Sequence, residues 1–391
     1  MKLKTIFVLL SLATFAFVNW GIDSQNQQIV PNSANAVTSV NATPVGRIIE
    51  ADGQAFLKRK NWSEYRPTFV GTELYAEDQI KLESEANLMA ICYENWETWR
   101  IPANTVSQPL DGCLATQCVP TDDGCVPFDA SRIGNQVFAA DNIPYIISPR
   151  HTYLLSNQPL VLRWNPVANA TRYTVKIKSP SEEIWETEVS ENQVTYSEKN
   201  IFKPDLRYTV IIYADTEDAD TEVSSLDVES PFPKKDPLGE GFIFVSEAEQ
   251  QQILATAEQL TQQLGGEAQV LTLAGFYQRK GLNTEAIAIL ESFIEKGYHT
   301  AAVYQMLGTL YQQIQLPVFA QEYYLKSLGL IEIDDVAGSA EVQAALGEVY
   351  AALGEKEKAI HWLKLANNSY QELGESERGE EVQKLLEGLN S

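Results

Sequence analysis

The side chains in this 391-residue sequence with reactive potential are three histidines, four cysteines and a surplus of carboxylates. His151, His299 and His361 stand far apart, and no HExxH, GxSxG, Walker-type or dinucleotide glycine pattern accompanies them. Gly239-Glu240-Gly241 lacks the third glycine of a nucleotide loop. Cys92, Cys113, Cys118 and Cys125 are even in number and confined to one region. Their spacing lacks the close CxxC pairs of a zinc site, so disulfides in an oxidising compartment are expected. Three pairings are open. Cys113–Cys118 with Cys92–Cys125 is preferred, because the intervening loop, rich in Asp, Gly, Thr and Pro, has little else to order it. The alternating carboxylates of 215–222 could hold calcium. They lack the Asp-x-Asp-x-Asp-Gly run and distal Glu of a calcium loop, so a solvated turn is expected. Lys58-Arg59-Lys60 beside Trp62 could meet an anionic envelope polymer, although three adjacent charges suit a hairpin tip. No catalytic residue, metal ligand or cofactor emerges. A glycosidase-type carboxylate pair would be invisible in so acidic a chain.

The net charge of −24 argues against nucleic acid, which demands clustered Lys and Arg. It argues equally against electrostatic docking on anionic lipid. Binding chemistry must therefore come from polar amides and apolar contact.

Such a surface is offered by 270–366, where one pattern recurs three times. Leu273-Ala274, Leu307-Gly308 and Leu346-Gly347 are each followed by a tyrosine, at Tyr277, Tyr311 and Tyr350. Then come Ala286, Ala320 and Ala359, and four residues further Leu290, Tyr324 and Leu363. The first two copies are offset by the tetratricopeptide period, and the pattern resembles that family's signature. The resemblance implies paired helices, with the small residue letting the second helix approach the first. The tyrosine and the large apolar residue would fill the space between stacked hairpins. The extra residues before the third copy, around 331–339, would lengthen the second helix or the loop. Ser246-Glu-Ala-Glu249 is a capping box opening an N-terminal cap helix that stops at Gly265-Gly266, and 376–389 is a charged terminal helix. A superhelical stack implies a groove lined by the first helices. Its candidates are Gln278, Arg279, Gln305, Thr309, Gln312 and Glu348. These would hold a protein partner through amide hydrogen bonds, without the Lys/Asn clamp some family members use.

Upstream, Met1-Lys-Leu-Lys4 and the apolar run 6–18 read as an export signal. It would be cleaved after Ala34-Asn35-Ala36 or retained as a membrane anchor. Period-two alternation from Val45 through Asn87-Leu-Met-Ala-Ile91 indicates a small β-sandwich or barrel. Its Gly46, Gly53, Trp62, Gly71-Thr-Glu-Leu74, Asp78-Gln-Ile80 and Trp99-Arg-Ile101 resemble a FecR-like extracytoplasmic domain. The strands around Trp164 and 172–178, and Leu206 with Tyr208, resemble a fibronectin type III domain with a tyrosine corner. The prolines and glycines of 231–245 read as an extended linker.

The sequence thus reads as a multidomain α and β chain. A signal or anchor (1–36) precedes a FecR-like β domain with its Cys-rich loop (45–143). A fibronectin III-like sandwich (144–230) and a linker (231–245) lead to an α-solenoid of tetratricopeptide helix pairs (246–391). This β–β–repeat order resembles envelope proteins of bacteria, cyanobacteria among them. The expected function is a non-catalytic extracytoplasmic scaffold, periplasmic or secreted, that binds protein partners through the groove. The alternative is a sensory protein whose FecR-like domain recognises a ligand or cell-wall polymer.

Overall fold

The computed structural model describes residues 43–114, 120–121, 124–125, 142–198, 202–216, 222–227, 230–232 and 236–390. All fall in the compact unit Ser39–Ser391. The signal segment, Cys118, the side chain of Cys125 and most of the acidic run 215–222 lie outside the described residues.

The first β unit comprises β1 (Gly46–Asp52), β2 (Ala55–Lys58), β3 (Arg66–Pro67), β4 (Glu73–Leu74), β5 (Gln79–Leu82), β6 (Asn87–Cys92), β7 (Thr98–Ile101) and β8 (Val106–Ser107). They form two four-stranded sheets, ordered β4-β1-β6-β7 and β3-β2-β5-β8. In β5 the pattern is the expected alternation, Ile80 and Leu82 inward and Lys81 outward. Strand β6 differs. Every residue from Leu88 to Cys92 is buried, because both of its faces are covered. Leu88 and Ala90 join Ile48, Leu57 and Leu74 in one core, while Met89 and Ile91 join Ile49 in another.

Short β9 (Pro120–Thr121) and β10 (Gly124–Cys125) pair with each other. The second β unit follows with β11 (Ile146–Ser148), β12 (Thr152–Leu154), β13 (Val161–Trp164), β14 (Ala170–Lys178), β15 (Glu183–Val189), β16 (Gln193–Thr195), β17 (Arg207–Thr216), β18 (Glu222–Ser224) and β19 (Phe242–Phe244). One sheet is β11-β13-β16; the other runs β12-β19-β17-β14-β15, with β18 also on β17. Trp164 is fully buried between them, its ring edge-on to Tyr173. The backbone N–H of Lys203 donates to the Tyr208 hydroxyl at 2.7 Å, pinning the preceding loop as a tyrosine corner would.

The segment expected to be a linker is corrected here. Its last residues, Phe242, Ile243 and Phe244, are a buried strand paired parallel to β12 and antiparallel to β17. A spacer between free modules would leave such an apolar triplet in water, and burying it welds the second β unit to the helices.

Eight helices complete the chain: α1 (Glu247–Gln263), α2 (Gly266–Arg279), α3 (Asn283–Glu295), α4 (Ala301–Gln313), α5 (Pro317–Leu328), α6 (Val336–Ala352), α7 (Lys356–Leu373) and α8 (Ser376–Asn390). Ser246 caps α1, its hydroxyl accepting from the Glu249 N–H. Hairpins α2–α3, α4–α5 and α6–α7 each turn through a left-handed residue at the same place, Gly281, Gln315 and Gly354. The extra residues of the third copy lie in the loop after Leu328 and in a longer α6.

The repeated small residues act as expected. A Cβ on Gly308 would sit 2.6 Å from the Tyr324 ring, and one on Gly347 would sit 2.5 Å from Leu363. Leu273, Leu307, Leu346, Ala286, Ala320 and Ala359 are all buried. The roles of the large residues are refined. Tyr324 and Leu363 fill space within their own hairpins, and the repeated tyrosines reach the neighbouring hairpins. Tyr311 donates to Glu291 of α3 at 2.6 Å, and Gln321 of α5 donates to Tyr350 at 3.0 Å. Tyr277, in the first copy, packs beside Phe276 near the β units.

Candidate partner-binding face

The six groove candidates lie on α2, α4 and α6, and much of the face these helices share is already taken. The first β unit packs against it. Gly71, at a φ of +97°, touches α4 so closely that a Cβ there would lie 2.8 Å from the Ala302 Cβ. The Arg47 guanidinium reaches the Met306 sulfur at 3.3 Å and pairs with Glu73. Tyr93 donates to both oxygens of Glu73 at 2.8 Å and receives Arg279 on its ring face, 3.6 Å from the centroid. Trp96 stands edge-on to Phe276 of α2.

The candidates respond accordingly. Gln278 is 9% exposed and donates to Gln313 at 3.2 Å. Gln305 donates to Glu341 at 3.4 Å, and Thr309 donates to the Gln305 carbonyl at 3.1 Å. Gln312 donates to Glu348 at 2.9 Å and accepts the Tyr324 hydroxyl at 2.7 Å. Between Arg47, Gly71 and Glu73 on one side and Gln278, Gln305 and Thr309 on the other, about 50 Å³ remains. A peptide needs far more. The polar amides of this face therefore bond to side chains of neighbouring helices, and Arg279 meets the chain's own β unit.

Sequence reasoning missed a charged lock between the β unit and α6–α8. Arg59, expected at a solvated hairpin tip, is 8% exposed, lying over the rings of Tyr75 (4.9 Å) and Trp62 (5.7 Å). Glu341 meets Arg59 at 3.5 Å and Arg378 at 2.8 Å. Glu375 accepts the Trp62 indole N–H at 2.9 Å and pairs with Arg378 at 3.3 Å. Burial opposes the charge on Glu341, but Arg378 and Arg59 outweigh it and hold the carboxyl below its usual range. Burial pushes Asp78 up to about 6 despite Arg59 nearby. Lys60, on the surface, pairs with Glu77 at 2.7 Å. The basic triplet is thus split, which removes Arg59 from any polymer-binding patch. Trp62, three residues beyond Arg59, was the available signal, since an aromatic so close can cover a guanidinium.

The second β unit is fastened to the first hairpin turn. The N–H of Tyr153 donates to the Gly281 carbonyl at 2.8 Å, and Asn283 donates to the His151 carbonyl at 2.7 Å. Arg150, 2% exposed, donates to the Ile314 carbonyl at the end of α4 at 2.9 Å and to Glu240 at 2.7 Å. The Leu155 N–H donates to Glu285 of α3 at 3.1 Å. His299 bonds to Tyr304, and His361 sits beside Trp362 on α7, so the histidines do not converge.

The preferred cysteine pairing is also corrected: Cys92 bonds to Cys113. Cys92 ends β6 beside the buried start of β1, and Cys113 packs with it and Val45 in one small core. That packing places the two sulfurs together.

No protein-family model and no curated protein matches the chain. Solved structures are similar over about a third of it. The type III secretion translocator chaperone SycD of Yersinia enterocolitica is 18% identical, with 32% of this chain and 94% of that one covered at a TM-score of 0.28. MamA is 23% identical, with 35% and 84% covered at 0.27. The kinesin light chain TPR-like repeats of Podospora anserina are 17% identical, with 36% and 89% covered at 0.25. Likeness at this level says nothing of partners.

Proposed function

We propose that the protein is a non-catalytic extracytoplasmic scaffold of the tetratricopeptide type, which recruits protein partners as one assembled body. The observation that carries this reading is the occupied face. Gly71 against Ala302, Arg47 against Met306 and Arg279 over Tyr93 support it, since the repeat helices there hold another element, the chain's own β unit. Partners then dock on what the assembled body leaves open. The charged N-terminus, the apolar run 6–18 and the Cys92–Cys113 bond support an exported protein, either released or held by its N-terminal segment. The FecR-like and fibronectin III-like resemblances fit this setting, with the β units as structural partners of the repeats.

The test is reconstitution. Affinity capture with the mature full-length chain from envelope extract, followed by calorimetry with the purified candidate, should yield a defined partner of micromolar affinity or better. Failure of every recovered protein to bind when purified, or turnover of an envelope polysaccharide by the pure chain, overturns the reading.

A further inference from the structure

Among the described residues, a cleft of about 560 Å³ with mostly apolar walls lies between the second β unit and helices α1 and α3. Its size falls in the range of binding pockets. Leu155, Leu160, Phe244, Leu254 and Ile289 line it, and three carboxylates stand on its α3 wall, Glu285, Glu291 and Glu295. The cleft holds a single cation, Arg163, and Glu291 already engages it at 3.4 Å while accepting Tyr311 at 2.6 Å. Glu285 and Glu295 form no ion pair among the described residues. Glu285 is the more demanding of the two. Its Oε1 accepts the Leu155 N–H at 3.1 Å, and its Oε2 is shut off from solvent without any donor. A buried carboxylate oxygen left this way is destabilising, because it has lost water and gained no donor.

We propose that this cleft binds a short segment of a partner protein, apolar in its body and carrying a lysine or arginine that pairs with the carboxylates of the α3 wall, Glu285 and Glu295. Charge complementarity selects this occupant. The one cation present is spent, two carboxylates are unpaired, and the chain as a whole repels acidic segments at −24. Apolar walls exclude a purely polar basic peptide as the best ligand. The inference rests on the scaffold reading and names where, and by what chemistry, a partner is held.

The test uses the mature full-length chain at 150 mM salt and fluorescein-labelled octapeptides of alternating leucine and lysine, leucine and glutamate, or serine and lysine. Anisotropy should show the leucine–lysine peptide binding at least tenfold tighter than either control. Ala288→Trp, at an exposed position on the cleft wall, should abolish that binding with the melting temperature unchanged. Glu285→Gln should weaken it about tenfold. Equal binding of the leucine–glutamate peptide, or undiminished binding by Ala288→Trp, overturns the proposal. If a captured partner still binds Ala288→Trp fully, this site is wrong and the scaffold reading stands. If no partner reconstitutes at all, it is the scaffold reading that fails.

Discussion

Arg279 on α2 lies over the ring of Tyr93 in the first β unit, 3.6 Å from its centre, while the Tyr93 hydroxyl donates to Glu73. One aromatic ring thus ties the β unit to the repeats by its face and orders its own sheet by its edge. Truncating Arg279 to alanine should cost about 1–2 kcal/mol in denaturant unfolding. A double-mutant cycle with Tyr93→Phe should show little coupling, because the face survives that change. A cycle with Tyr93→Ala should show about 1 kcal/mol.

Gly71 faces two independent penalties if a Cβ is added. Its φ of +97° disfavours any L side chain, and Ala302 occupies the space. Gly71→Ala should destabilise by roughly 2–4 kcal/mol. Adding Ala302→Gly should recover only part, since relief of the clash leaves the backbone strain. Full recovery would mean that the φ penalty is absent.

Glu375 satisfies Trp62 and Arg378 at once and lies 3.7 Å from Arg59. Replacing it with alanine orphans buried donors and should cost about 3–5 kcal/mol. Amide hydrogen exchange should accelerate first in α8. Uniform acceleration across the chain would instead indicate that α8 is no separate cooperative element.

Much of this architecture could be read from residue patterns, and its limits are instructive. The spacing of Gly308 to Tyr324 and of Gly347 to Leu363 is a local rule written inside each hairpin, so the repeats are visible. The alternation in β5 is equally local. The occupied face was not legible, because Gln278, Gln305 and Thr309 are as suitable for a water-filled groove as for a polar joint with another part of the chain. Phe242-Ile-Phe244 was masked by the prolines before it, and its parallel partner β12 lies nearly ninety residues away. The unbroken apolar run Leu-Met-Ala-Ile-Cys of β6 marks a strand covered on both faces, which already implies a second layer from elsewhere.

Burial lifts Glu285 to about 7, from an ordinary value near 4.5. A carboxyl raised in the folded state holds its proton longer than in the unfolded chain. Stability is therefore fullest below about 4.5 and falls as pH rises towards 7 and beyond. The loss is about 3.4 kcal/mol as an upper bound. Glu285→Gln keeps an acceptor for the Leu155 N–H and should flatten this slope, gaining stability at pH 8 with little change at pH 5. Thermal melts of both proteins across that interval check it. Asp78 and Asp335, each raised by burial to about 6, should leave a smaller residual slope of the same sign.

The Cys92–Cys113 bond closes a short loop, and removing it by Cys92→Ser with Cys113→Ser should cost about 2–4 kcal/mol. Proteolytic mapping under non-reducing conditions should recover this linkage. Recovery of Cys92 joined to Cys125 would restore the pairing expected from loop composition.

Trp62 and Glu375 are 313 positions apart along the chain. A ribosome adding roughly 5–20 residues per second needs about 15–60 s to supply the second after the first. For that interval the newborn β unit carries Ile48, Leu74 and Leu88 with no Leu363 or Tyr370 to join their core. A chain built this way has a long adolescence. Until its last helices arrive, its first-made part carries apolar surface that only the finished fold covers.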